Sequence, residues 1–199
     1  MSNASESLEV ALVLASGSPQ RRAILTQLGI SFEVVVSGAR ERETGPADEI
    51  AADNARRKAA AVAAGRERAL VLGVDTVVAL DGHIYGKPDD EAAARAALGA
   101  LSGRVHTVVS GVCILARGRE RSALAHTQVH FRTLDTRLLD WYLDSGEWRD
   151  RAGGYAIQGR GAALVTRIDG DYFNVVGLPV ATLLELAPEV LRHARPPSR

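Results

Sequence analysis

The order of patterns along the 199 residues predicts an α/β protein built on a mixed β-sheet. Two observations carry this. Short apolar or alternating runs of strand length are interleaved with segments whose apolar residues recur at helical spacing. Asp81-Gly82, Arg117-Gly118-Arg119 and Asp169-Gly170 each separate two β-rich runs, as hairpin turns do, and hairpins exclude an all-parallel sheet.

Composition narrows the function. The chain carries 24 basic and 24 acidic residues, so it has no electrostatic footprint for long nucleic acid or an anionic membrane, while a small charged ligand stays open. Cys113 is the only cysteine, which rules out an intrachain disulfide and suits a reducing compartment. The start, 1–9, is polar and acidic, and the apolar run 10–15 is too short for a signal core or a membrane span. A soluble, cytoplasmic protein follows, one domain over 1–199, with an ordered core of about 9–190 and a frayed tail at 192–199.

Taken in order, 10–15 fits a buried strand. Ser18 is a good N-cap, Pro19 suits the first helical position, Ile24, Leu25 and Leu28 form an apolar face, and Gly29 closes the helix. A helix start preceded by Ser16-Gly17 and followed by Arg21 and Arg22 suits phosphate oxygens, and equally a capped surface helix with solvated arginines. The run 31–37 reads as a second strand. A polar loop with Arg40, Glu41, Arg42 and Glu43 follows, in which a solvated carboxylate is the default for Glu41. The next helix spans 46–64, stopped by Gly65, with an apolar stripe of Ala47, Ile50, Ala51, Ala55, Ala61 and Val62. Asn54 and Lys58 fall inside that stripe, so Lys58 either snorkels to water or leans past the core into an anion-binding cleft.

The stretch 69–88 holds the most chemistry. Asp75 sits in the middle of an apolar strand, where its charge needs a cation, a metal ion or hydrogen-bond donors; a structural Asp bonded to backbone amides is the alternative. A two-residue turn at Asp81-Gly82 sets Leu80 against His83, and the same register carried back sets Thr76 against Lys87. Neighbours on a strand point to opposite faces, so Asp75 and Lys87 converge only if the strand end twists, bulges or leaves the sheet.

Beyond it, Asp89 or Asp90 caps a helix through Ala94, Leu98 and Leu101, ended by Ser102-Gly103. The runs 105–116 and 122–131 form a second hairpin, in which His106 reads best as a hydrogen-bonded sheet histidine. Asp135 opens a helix with Leu138, Leu139, Trp141 and Tyr142 that stops near Ser145-Gly146. The stretch 153–161 is too glycine-rich for a regular element and reads as a loop that lets backbone approach a ligand. Its Gln158 suits the edge of a planar base, or equally ties the loop. The runs 162–168 and 172–176 read as a further hairpin, and Gly177-Leu178-Pro179 starts a last helix with Leu183, Leu184 and Leu186.

No His/Cys cluster has zinc spacing and no serine nucleophile elbow is present. What remains is Arg21, Lys58 and Lys87 against Asp75 and Glu41. Cations beside carboxylates are what polyphosphate chemistry requires: the first neutralise phosphate oxygens, the second hold a divalent metal or orient water.

Leu14-Ala15-Ser16-Gly17-Ser18-Pro19 with Arg21, Ala55-Arg56-Arg57-Lys58-Ala59, Gly73-Val74-Asp75-Thr76-Val77-Val78 and Gly86-Lys87-Pro88 come in that order. Leu101-Ser102-Gly103 with His106, Gly154-Tyr155-Ala156-Ile157-Gln158-Gly159 and Val175-Val176-Gly177-Leu178-Pro179 follow. Each piece alone is weak; in this order and with these gaps, over nearly the whole chain, they resemble the Maf family of nucleoside triphosphate pyrophosphatases.

The resemblance implies a fold similar to the inosine triphosphatase type, a long mixed sheet with flanking helices and two lobes around a cleft, often dimeric. It implies a house-cleaning hydrolase that converts a nucleoside triphosphate to its monophosphate and pyrophosphate with magnesium or manganese. By position it gives Asp75 the proton-acceptor role, Ser16, Arg21, Lys58 and Lys87 the triphosphate contacts, and Glu41 the second carboxylate at the metal beside Asp75. Of the family's specificity positions, Thr76 and Gln158 match the branch acting on dTTP and UTP, while Gln20 departs from both that branch and the one acting on 7-methyl-GTP. The implied substrates are dTTP and UTP, with breadth toward CTP or modified pyrimidines. A nucleotide-sensing regulator of cell division that binds without cleaving, and an enzyme opening another phosphoanhydride, are the competing readings.

Overall fold

A computed structural model describes residues 11–194; the polar start and the tail from 195 onward lie outside the described residues. Among the described residues seven strands form one mixed sheet. They are β1 (Leu12–Leu14), β2 (Glu33–Val34), β3 (Leu70–Leu80), β4 (His83–Tyr85), β5 (Val105–Ala116), β6 (Arg119–Phe131) and β7 (Val165–Asp169). The order is β2-β1-β3-β5-β6-β7, with β4 on β3 outside that path. β1 runs parallel to β2 and β3; every other pair is antiparallel. The helices are α1 (Pro19–Gln27), α2 (Ala47–Ala63), α3 (Glu91–Leu101), α4 (Thr136–Leu143), α5 (Tyr172–Val176) and α6 (Val180–Leu186). No helix among the described residues is long and apolar enough to cross a membrane.

Alternation along β3 divides the core. Leu70, Leu72 and Val74 pack with Ile24 and Leu25 of α1 and Leu183 of α6. On the same face Val78 and Leu80 belong to a second cluster with Leu98 of α3 and Tyr142 of α4. The opposite face carries Val71 and Val77 under α2. Period-two alternation therefore puts Asp75 on the α2 face and Thr76 on the other, between the two clusters.

The hairpin turns behave as their sequences dictate: Asp81 and Gly82 have φ of 51° and 79°, the double positive φ of a two-residue turn, and set Leu80 opposite His83. Pairing of β4 ends at Tyr85 opposite Val78, so the strand leaves the sheet before Lys87 could face Thr76. Ser18 caps α1, Asp90 caps α3 and Asp135 caps α4.

Four expectations are corrected. The run 172–176 is not the second strand of a hairpin but helix α5, and β7 pairs with β6 instead. The Asp171 side chain accepts from Phe173 N, and Asn174, fully buried, donates to Val108 O, Ala125 O and Thr127 Oγ1; a cap and three tertiary bonds override the β-propensity of Val175 and Val176. The second strand shrinks to two residues, Glu33–Val34, both exposed, with only β1 beside it. On α2 Ala59 is buried beside Ala51 and Ala55, while Ala61 faces solvent. The fraying expected from 192 onward begins too early, since Arg192 and His193 end a 3₁₀ turn and Ala194 bridges Ile30.

Candidate active site

β3 has β5 along one edge from Leu70 to Ala79. On its other edge β1 pairs with residues 70–72 and β4 with 78–80, leaving 73–77 without a strand neighbour. This interruption opens a notch in the sheet, and because Asp75 and Thr76 sit in it pointing to opposite faces, groups from both faces meet around one edge.

On the α2 face Asp75 is 6% exposed. Lys58 Nζ lies 2.6 Å from its Oδ1 and Asn54 Nδ2 donates to its Oδ2 at 3.0 Å. Asn54 and Lys58 are one helical turn apart, so a single face of α2 grips both carboxylate oxygens. Lys58 Nζ also lies 2.8 Å from Glu41 Oε1, on a loop whose side chain is half exposed. The burial that strand position implied for Asp75 is thus compensated by side chains, not backbone amides, and Lys58 does not snorkel. Two glycines bring the helix this close: a Cβ on Gly73 would sit 2.1 Å from Ala55 O, and one on Gly111, directly opposite Asp75, 2.2 Å from Ala51 O.

On the other face Arg21, 8% exposed, reaches over the end of β1. Its Nε donates to Gly177 O at 2.8 Å, Nη1 to Ser16 Oγ at 2.9 Å and Nη2 to Thr76 Oγ1 at 3.2 Å. Thr76 Oγ1 is in turn 2.8 Å from the fully buried Ser110 Oγ. A guanidinium has five N–H donors, so this neutral cradle leaves two uncommitted. Burial pulls the Arg21 pKa below the usual guanidinium value, while the charges of Asp75 and Glu41 hold it up across the notch.

The structure therefore gathers Asp75, Lys58 and Glu41 in one cluster and Arg21, Ser16 and Thr76 in a second. Gln20 joins the second at one remove, its Oε1 accepting from Ser18 Oγ at 3.0 Å while Ser18 N donates to Ser16 Oγ. Lys87 and Gln158 are exposed and make no side-chain hydrogen bond or ion pair among the described residues. Sequence reasoning missed the Gly177 carbonyl, Ser110 and the role of Asn54. The signal for Asn54 was its place in the apolar stripe four residues before Lys58. His106 is where it was expected, buried in β5 with Nε2 2.8 Å from the Tyr155 hydroxyl.

Two carboxylates that share one cation at under 3 Å form a hard-oxygen donor pair, which fits a divalent ion whose remaining ligands are waters and phosphate oxygens. Among the described residues no three His, Cys, Asp or Glu side chains gather into a fuller cage.

Arg21 on one lip of the notch, and Lys58 bridging a carboxylate pair on the other, make a site that a polyanion with a divalent cation would suit. Residues 11–190 match the family described as Maf-like protein, and the chain belongs to that family. It is 48% identical over 177 residues to a dTTP/UTP pyrophosphatase of Deinococcus radiodurans, covering 88% of this chain and 90% of that one. The dTTP/UTP pyrophosphatase of Thermococcus gammatolerans is 48% identical over 183 residues, 90% and 98% of the two chains. That of Moorella thermoacetica is 50% identical over 180 residues, 88% and 92%.

Proposed function

We propose that this chain hydrolyses nucleoside triphosphates, dTTP and UTP first among them, to the monophosphate and pyrophosphate. Relatives at 48–50% identity over most of their length bear that activity as their name, and the observation that carries the reading here is the buried Asp75, gripped by Lys58 and Asn54 across a notch from Arg21. Asp75 accepts the proton of a water attacking the α-phosphorus. The two free N–H groups of Arg21, the Ser16 hydroxyl and the third N–H of Lys58 meet phosphate oxygens and stabilise charge moving onto pyrophosphate; Lys87 swings in from its loop to join them. Asp75 and Glu41 would hold a divalent cation, magnesium or manganese, which would neutralise and polarise phosphoryl oxygens. Thr76, Gln158 and Gln20 face the base, and the departure of Gln20 from both branches favours breadth among pyrimidines.

The reading extends to a single domain of inosine triphosphatase type. Separate apolar clusters beside α1 and α3 support two lobes either side of the notch. A homodimer in the cytoplasm completes it.

The deciding experiment is product analysis on dTTP, UTP and CTP in ¹⁸O-water with magnesium. Pyrophosphate with label in the monophosphate supports the reading. Orthophosphate points to another phosphoanhydride, and saturable binding without product to a sensor; either result overturns it.

A further inference from the structure

Asn54 is 2% exposed on a helix face whose only other buried polar side chain is Lys58, and its amide has no unused N–H. Its Oδ1 accepts from Arg42 N at 2.6 Å, while Nδ2 donates to Arg42 O at 3.0 Å and to Asp75 Oδ2 at 3.0 Å. The orientation is unambiguous, because a flipped amide would set its oxygen against two acceptors and its N–H groups against a donor. The pair of bonds to Arg42 imitates a strand partner for a loop that has no regular structure from 35 to 46. Arg42 is the residue after Glu41.

We infer that Asn54 is a positioning residue: it fixes the backbone beside Glu41 and the carboxylate of Asp75 in one frame, so that the two acids hold their spacing whether or not Lys58 stays between them. Lys58 links the same two acids through a charge on a long stem, which a phosphate can draw away. Asn54 links them through backbone and a short side chain, which nothing entering the notch displaces. Its reach depends on the close approach of α2 allowed by Gly73 and Gly111. A buried amide in this place is tolerated only with its bonds made, so losing Asn54 removes the frame without disturbing any charge. The catalytic consequence rests on the pyrophosphatase reading; the frame itself does not.

The test uses Asn54→Leu, which fills the space apolarly, and Asn54→Ser, which carries the same readouts should the first not fold. Hydrogen exchange at the Arg42 amide speeds up by roughly tenfold or more as its side-chain acceptor is lost. With dTTP, kcat falls about 10- to 100-fold while the melting temperature shows a fully folded variant. KM stays within about threefold, since the phosphate contacts remain. Unchanged Arg42 exchange in a folded variant overturns the inference, and so does a kcat loss no larger than the loss of folded protein. If wild-type protein released no pyrophosphate, the functional reading would fall, and the exchange result alone would decide the frame.

Discussion

Asp75 and Thr76 are neighbours on one strand, yet the two faces they serve handle a buried charge in opposite ways. On the α2 face charge meets charge: the Asp75 carboxylate has Lys58 on one oxygen and the Asn54 amide on the other. On the α1 face the Arg21 guanidinium is held by two hydroxyls and a carbonyl, none of them charged. With Glu41 included, the first arrangement sets two carboxylates against one ammonium and keeps a net negative charge. The second is oriented by neutral groups alone, and the carboxylates answer its charge only across the notch, so Arg21 has no anionic partner in direct contact.

The largest test of this contrast removes the Asp75 charge from the α2 face. Asp75→Asn should lower kcat about 10³-fold with magnesium present, the scale of a lost general base, while the amide still occupies the same space. A variant keeping most of the wild-type turnover in a pyrophosphate assay would break the assignment. Next is Arg21→Lys, which keeps the charge and discards the planar fork. An ammonium cannot meet Ser16, Thr76 and Gly177 together and still present two donors, so kcat/KM should fall about 10²-fold. If lysine worked as well, orientation by the neutral cradle would not matter.

A smaller effect tests how the α2 face is built. Gly111→Ala places a methyl 2.2 Å from Ala51 O, and moving α2 outward should lower stability by about 1–3 kcal/mol, read as a lower melting temperature. Activity should fall further than folded protein does, since Asn54 and Lys58 retreat with the helix.

The smallest effect lies away from the notch, at His106, whose pKa burial, helped by the charge of His130, lowers from 6.5 to about 4. An unfolded chain takes up that proton near pH 6.5 and the folded one does not until about 4, so the stabilising contribution is complete above 6.5 and is lost as pH falls. One unit below 6.5 the loss is about 1 kcal/mol. Melting curves of wild type and His106→Gln from pH 7 to 4 should converge toward the acid end.

What the sequence made legible follows from short-range rules. The Asp81-Gly82 turn, the caps at Ser18, Asp90 and Asp135 and the burial of Asn54 and Lys58 all depend on residues within a helical turn or a hairpin. What it hid depends on contacts across the fold. Helix α5 looks like a strand because two valines outweigh, locally, an asparagine whose three acceptors lie on β5 and β6. Arg21 and Asp75 could be assigned to one site from their chemistry, but not to opposite faces of one strand. That requires knowing that β1 stops at Leu14 and β4 at Tyr85. Lys87 and Gln158 stand exposed on loops, where no neighbouring element fixes their side chains.

The interrupted edge of β3 has a consequence for how the protein behaves among its neighbours in a crowded solution. On that edge five consecutive residues have no strand beside them among the described residues, a template on which a stray segment of another chain could dock and seed association. At about 16 Å the opening is too short to hold such a segment well, and the ionised side chain in its middle repels an apolar one. The gap that a small polyanion can enter is thereby closed to a foreign backbone.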